Sequence, residues 1–233
     1  MRRSEAPPTR ADSAPGIEAV RNYEKATVYI EMADRYLESI GYTEHGLRHA
    51  DIVSRTAFKI LEELSFDRRD AELAAVAGFL HDIGNMAGRV QHHRIGAVLA
   101  KEILEELGFD LREIGRVMAA IVTHEEDEGM VKPDPVTAAL VIADKSDVHR
   151  SRVRTSGSIS EDIHDRVNYA ATESNLAVDA EKKTITLSLV IDTRISQVIE
   201  YFQIFLSRMA ECRKAARALG CEFRLFINDS RMA

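Results

Sequence analysis

The chain has 233 residues, 45% hydrophobic and 30% charged, with a formal net charge of -7. A chain of this length buries a full core with room for one domain and a smaller appendage, and its acidic balance argues against broad nucleic-acid or membrane binding, although a local basic patch can still hold a phosphate. Cys212 and Cys221 are its only cysteines, which excludes a disulfide framework and a paired-cysteine zinc motif and suits a reducing, cytoplasmic setting.

Residues 1–16 carry three prolines and scattered charges without the apolar core of a signal peptide, and they read as a disordered tail. No later apolar run is long enough to span a bilayer. From Ile17 to about Ile40 the pattern is helical and stops at Gly41. Thr43 is placed to cap the next helix, whose stripe of His45, His49, Val53, Ala57, Ile60 and Leu64 puts two histidines on the buried face. A third helix starts near Arg68, with Leu73, Val76, Ala77, Leu80 and His81 in register. Gly84 ends it and leaves His81 and Asp82 in its last turn. After a glycine-containing connection, His92, Ile95, Leu99 and Ile103 form another stripe up to Gly108. Leu111, Ile114, Val117, Met118, Ile121 and Val122 make the next, with His124 just beyond.

The acidic stretch 125–135 reads as a loop closed by two prolines. Val136, Ala139, Leu140, Ala143, Asp144 and Asp147 then follow at helical spacing, which sets a carboxylate among apolar neighbours. Beyond Arg154 the composition changes. A Ser/Gly-rich loop over 155–160 and a short helix to about Arg166 precede two strands, 168–178 and 184–191, joined by a charged turn at 179–183. A long amphipathic helix over 195–219 is stopped by Gly220, and 222–227 is a final strand. The expected fold is mainly α: a helical domain over 17–154 and a small C-terminal α+β extension over 155–233, with antiparallel strands packed on one long helix.

A histidine or aspartate on an apolar stripe is costly to bury unless it is paired or binds a metal. A single one usually signals a hydrogen-bonded core residue. Here His49, His81, Asp82, His92, His124 and Asp144 fall on or beside five successive apolar faces, and coincidence becomes the weaker explanation.

The order His49, His81-Asp82, Asp144 resembles the HD-domain superfamily of metal-dependent phosphohydrolases. His49 precedes Val53 in that family's His-x-x-x-Val manner, and His81-Asp82-Ile83-Gly84 matches its usual doublet. His92, four residues before Gly96, and His124 resemble the extra ligands of the two-metal subset. The likeness covers roughly 42–154. It implies one metal on His49, His81, Asp82 and Asp144, and a second that shares Asp82 and adds His92 and His124. Iron, manganese or zinc suit this mixed donor set, with magnesium a further candidate. The implied reaction is hydrolysis of a phosphate ester or nucleotide by a metal-activated hydroxide, with Asp82 as the bridge. The stretch from Thr123 to Met130 lacks the second histidine and the Gly-Tyr-Pro element of cyclic di-nucleotide phosphodiesterases, and Asn85 stands where they usually have lysine, so cyclic di-GMP is not the first choice.

Other residues have both a functional and a plain reading. His45 is a candidate phosphate contact or a structural hydrogen bond, and His93 a candidate to replace His92. Lys145 is a candidate to neutralise substrate charge or protonate the leaving group, or an ordinary helix lysine. His149, Arg150, Arg152 and Arg154 form a basic cluster suited to phosphate or to ion pairs with the acidic surface. Glu125, Glu126, Asp127 and Glu128 read as a solvated loop, with a metal contact by one of them as the alternative, and Tyr201, Phe202 and Phe205 as core or dimer contacts ahead of a base-stacking surface. The expected partner is a small-molecule phosphate ester or nucleotide, and a homodimer through the extension is a second expectation. The alternatives are a nucleotide-sensing or scaffold protein that keeps the metal site without turnover, and a mononuclear phosphohydrolase.

Overall fold

The protein is described by a computed structural model over residues 14–125, 134–154 and 163–232. The expectations for the tail before residue 14, for the acidic loop over 126–133 and for the loop over 155–160 lie outside these residues.

The helical part runs α1 (Ile17–Arg21), α2 (Glu24–Ser39), α3 (Leu47–Glu63), α4 (Arg68–Leu80), a 3₁₀ turn over Ile83–Ala87, α5 (His92–Glu106), α6 (Leu111–Thr123) and α7 (Pro135–Ser146), followed by a second 3₁₀ turn over Arg150–Arg152. At the centre is α7, whose residues from Val136 to Ala143 are all buried, as expected of a helix that is apolar all round. It packs against α3, α4, α6 and the later helix α9 (Val198–Ala218). Asp134 caps α7 by accepting from the Val136 backbone N–H, and Pro135 occupies its first turn. Asp67 and Asp110 cap α4 and α6 in the same manner.

The chain departs from its sequence pattern at several boundaries. The helix expected over 17–40 breaks at Asn22 and Tyr23, so that α1 lies on α4 while α2 lies on the turn after α4. Thr43 does not cap α3. That helix begins after Gly46 without a side-chain cap, because Glu44 accepts from the Gly46 N–H and Asp34 from the His45 N–H. His81 and Asp82 lie just past the last turn of α4, with His81 as its C-cap. On α5 the buried face is His92, His93, Gly96, Ala97, Ala100, Ile103 and Leu104. Ile95 and Leu99 sit at its margin, and Leu111 is 74% exposed at the start of α6.

The C-terminal part contains α8 (Ile163–Ala170), β1 (Ala171–Asp179), β2 (Thr184–Ile191), α9, β3 (Glu222–Ile227) and β4 (Ser230–Arg231). Residues 168–170, expected in a strand, belong to α8, where Asn168 Nδ2 donates to the His164 carbonyl four residues back. The sheet order is β1-β2-β3-β4. It is mixed rather than antiparallel, since β2 and β3 pair in parallel. The reason is α9: a long helix between two strands carries the chain back to the end where it began, and the next strand then runs parallel to the last. Positive φ at Asn228 and Asp229 makes the tight return from β3 to β4. Tyr201 and Phe205 of α9 are buried and Phe202 half-buried, so these aromatics are core contacts. One continuous apolar core joins both parts. No helix among the described residues is long and apolar enough to cross a membrane.

One backbone contact locks the turn after α4 onto α5. A Cβ on Gly84 would lie 1.9 Å from the His92 carbonyl oxygen and 2.4 Å from the Gly96 nitrogen. The backbone after Asp82 therefore rests directly on the first turns of α5. Gly84→Ala is expected to destabilise the fold by about 3 kcal/mol or more through overpacking against backbone. Gly115→Ala, on α6 with open space around its Cβ position, should instead stabilise by up to about 1 kcal/mol. Thermal unfolding of the two variants checks both signs, and a Gly84→Ala protein as stable as the parent would remove this constraint.

Candidate metal centre

Four buried imidazoles and two carboxylates converge where α3, α4, α5, α6 and α7 meet. His49 comes from the first turn of α3, His81 and Asp82 from the end of α4, His92 from the first residue of α5, His124 from the end of α6, and Asp144 from the last turn of α7. Their ligand atoms form three overlapping groups, each within 4.8 Å: His49, His81 and Asp82; His81, His124 and Asp144; and Asp82, His92 and His124.

Each imidazole is oriented through Nδ1. In His81, His124 and His92 this nitrogen donates to the carbonyl three residues earlier, to Gly78 at 2.8 Å, Ile121 at 2.6 Å and Arg89 at 3.1 Å. For His81 and His124 these are carbonyls of a last helical turn, which have no partner within the helix. In His49, Nδ1 donates to Asp147 Oδ2 at 2.7 Å. A carbonyl or carboxylate only accepts, so Nδ1 carries the proton and Nε2 faces inward as the ligand atom. Nε2 of His49 and of His81 are buried without a hydrogen-bond partner. Buried polar atoms of this kind call for a cation or a donor.

Asp82 presents one oxygen to each half of the cluster. Its Oδ2 lies 3.2 Å from His81 Nε2 and 3.9 Å from His49 Nε2, while Oδ1 lies 3.4 Å from His92 Nε2 and 4.0 Å from His124 Nε2. Asp144 Oδ1 stands 3.4 Å from His49 Nε2 and 3.6 Å from His81 Nε2. Asn85 Nδ2 donates to Asp82 Oδ1 at 2.9 Å and fixes that carboxylate from the 3₁₀ turn.

The electrostatics show how strongly the cluster attracts positive charge. Burial by itself pushes the His81 imidazole down, but Asp82 and Asp144 outweigh it and bring it up to about 10. His92 behaves alike: burial opposes its charge, and hydrogen bonds to Asp82 and Glu125 raise it to about 9. His124 goes the other way, down to about 3, through burial and the neighbouring His81 charge. Burial raises Asp82 and Asp144, yet adjacent cationic groups hold both well below the usual carboxylate range. Protons can neutralise only part of such a cluster, because each proton added to one imidazole disfavours the next. The donor set of imidazole nitrogens and carboxylate oxygens fits a divalent cation.

Two carboxylates outside the expected ligand set complete the surroundings. Glu125, expected on a solvated loop, turns inward, with Oε1 3.2 Å from His92 Nε2 and 3.9 Å from His124 Nε2. Asp147 holds His49 and also accepts from Arg48 Nη2 at 3.0 Å. Adjacency to His124 was the signal for Glu125, and a spacing of three from Asp144 was the signal for Asp147.

The other sequence candidates fall outside the three groups. The His45 ring packs edge-on against His49, with centroids 5.4 Å apart, and its Nδ1 donates to the Thr43 carbonyl. Burial and the Arg152 charge push it well below its ordinary value, so it is neutral. His93 is buried beside His92. Lys145 is also buried; its Nζ donates to the His124 carbonyl at 2.7 Å and lies 3.5 Å from Asp144 Oδ2, which ties α7 to the end of α6. The basic cluster is a tether rather than a phosphate cradle. Arg152 donates to the carbonyls of Asp147 and Glu44, and Arg154 to Asp34 and to the Tyr42 carbonyl. His149 bonds to Ser151 and the Thr172 carbonyl, and Arg150 stacks on Tyr169. Neighbouring acceptors engage His149, Arg152 and Arg154 and draw them away from the cluster.

The HD domain family model matches residues 46–150. Residues 46–150 are thus similar to an HD domain, which is consistent with the HD-domain superfamily of metal-dependent phosphohydrolases. The matched stretch contains all six residues of the cluster, together with Glu125 and Asp147. Comparison with curated proteins gives no match.

Because Asp147 sets the tautomer and direction of His49, Asp147→Asn is expected to weaken metal binding by about 10- to 100-fold. Competition with a chromophoric chelator measures this, and affinity within twofold of the parent would show that the Asp147 contact does not orient His49.

Proposed function

We propose that this chain is a metal-dependent phosphohydrolase that hydrolyses a phosphate ester or nucleotide. The observation that carries the reading is the division of Asp82, one oxygen toward His49 and His81, the other toward His92 and His124. A carboxylate so placed suits a bridge between two cations. On this reading His49, His81, Asp82 and Asp144 hold one ion, and Asp82, His92 and His124 hold the other. Iron, manganese or zinc ions bound there would activate a water and neutralise charge developing on a phosphoryl group.

The protein's own part is orientation. The four Nδ1 hydrogen bonds fix the direction of each Nε2, and Asn85 fixes Asp82. Lys145 anchors the end of α6 and hence His124. Burial excludes bulk water from the ligands, which strengthens each charge interaction made there. A cytoplasmic setting accords with the free, buried thiols of Cys212 and Cys221. A homodimer through the outer face of α9, where Ile199 and Leu206 are exposed, is part of the same reading, and sedimentation as a monomer at working concentration would remove it.

Metal analysis combined with a screen of phosphate esters and nucleotides under manganese, iron, cobalt and zinc tests the function. Product release with about two metals per chain is expected. Ligand binding without turnover under every metal would instead favour a sensor, and one metal per chain a mononuclear enzyme. Asp82→Ala should lose metal and at least about 100-fold in activity, and a variant that kept both would sink the assignment. Chelation should also lower the melting temperature, since a ligand present at about 1,000 times its dissociation constant contributes about 4 kcal/mol to the folded state. Equal melting of stripped and loaded protein would argue against a resident ion.

A further inference from the structure

Arg89 lies in the bend between the 3₁₀ turn and α5, and its guanidinium is held at the edge of the ligand cluster. Nη2 donates to Glu125 Oε1 at 3.0 Å and Nη1 to Asn85 Oδ1 at 3.3 Å. The guanidinium carbon stands 5.5 Å from the centre of the Tyr42 ring. Nη1 also lies beside the His92 ring, 3.1 Å from Nε2 and 3.3 Å from Nδ1. With 27% of its side chain exposed, Arg89 reaches both the cluster and solvent.

We propose that Arg89 is the phosphate-binding arginine of this site, gripping phosphoryl oxygens of the substrate beside His92. The proposal rests on the phosphohydrolase reading. His92 Nε2 has one lone pair, because Nδ1 donates to the Arg89 carbonyl. A guanidinium only donates hydrogen bonds. Once a cation takes the Nε2 lone pair, the His92 ring has no acceptor left for Nη1. Glu125, Asn85 and the Tyr42 face still retain the guanidinium, so the freed N–H groups remain beside the cluster and need an acceptor. An anionic oxygen arriving with the substrate meets that need, and the planar fork suits phosphate.

Charge supports the same conclusion. On the phosphohydrolase reading Asp82 and Asp144 are compensated by the cations they would hold, so Glu125 is the carboxylate a phosphate meets at this edge, and a fixed cation beside it offsets that repulsion. Arg48, Arg152 and Arg154 are engaged by protein acceptors away from this edge, and Lys145 is buried against His124. Arg89 combines a fixed position, partial exposure and contact with a cluster residue.

The experiment compares manganese-loaded wild type with Arg89→Ala and Arg89→Gln, the latter keeping side-chain length and polar packing. Metal content is read by atomic emission, and binding of inorganic phosphate by calorimetry. Both variants should keep the wild-type number of metals and bind phosphate about 10- to 100-fold more weakly, as loss of a charge-assisted hydrogen bond implies. The phosphate-induced rise in melting temperature should shrink in step. Phosphate affinity within twofold of wild type in a folded, fully loaded variant overturns the proposal. So does loss of metal, which would make Arg89 a support for His92. If Arg89→Ala fails to fold, Arg89→Gln decides by the same criteria. Wild-type protein that binds metal but no phosphate overturns the phosphohydrolase reading itself, and the role of Arg89 with it.

Discussion

Where the chain leaves Asp82 it meets the first turns of α5 with a glycine on each side, and the two backbones come into direct contact. A Cβ at Gly84 would overlap the His92 carbonyl, and one at Gly96 would press on the Gly84 nitrogen at 3.2 Å. That approach joins the two halves of the cluster, because it brings the segment bearing His81 and Asp82 against the residue that bears His92. Close-packed backbone has little room to yield. The separation of these ligands is thus set by the main chain rather than by flexible side chains.

Around this contact the orientation of the ligands is largely local. His81 and His124 each follow the last residue of a helix and fold back on the carbonyl three residues earlier. One bond thus satisfies a stranded helix carbonyl and points Nε2 inward. His92 makes the same bond at the start of α5, and His49 depends instead on Asp147 from across the bundle. The cost of placing so many polar groups in an apolar bundle is offset by mutual pairing and, on the proposed reading, by bound cations.

The C-terminal part takes its form from α9. This helix packs on α7 and on the sheet, so the element that carries Asp144 is covered on its far side by the extension. A change in the extension would therefore reach the site through the packing of α7. The parallel pairing of β2 and β3 follows from the same helix.

Much of the helical architecture was legible in the sequence because a 3.6-residue period survives in local order, with aspartate caps and glycine stops as punctuation. The residues of the cluster were legible too, since buried histidine and aspartate stand out on apolar stripes. The roles of Glu125, Asp147 and Arg89 were not: Asp147 continued an apolar stripe without a visible partner, Glu125 and Arg89 lay outside any apolar pattern, and only their neighbours in space give them a part. Arg150, Arg152 and Arg154 failed in the opposite direction: as a run they suggested a phosphate cradle, whereas the fold turns Arg152 and Arg154 toward the carbonyls of Glu44, Tyr42 and Asp147 and lays Arg150 on Tyr169. The sequence by itself determined which side chains could not remain unpaired once buried. Only the tertiary structure decided which of them meet, the parallel return of β3, and which cation faces the cluster, because those depend on contacts between segments tens of residues apart that leave no periodic trace in the chain.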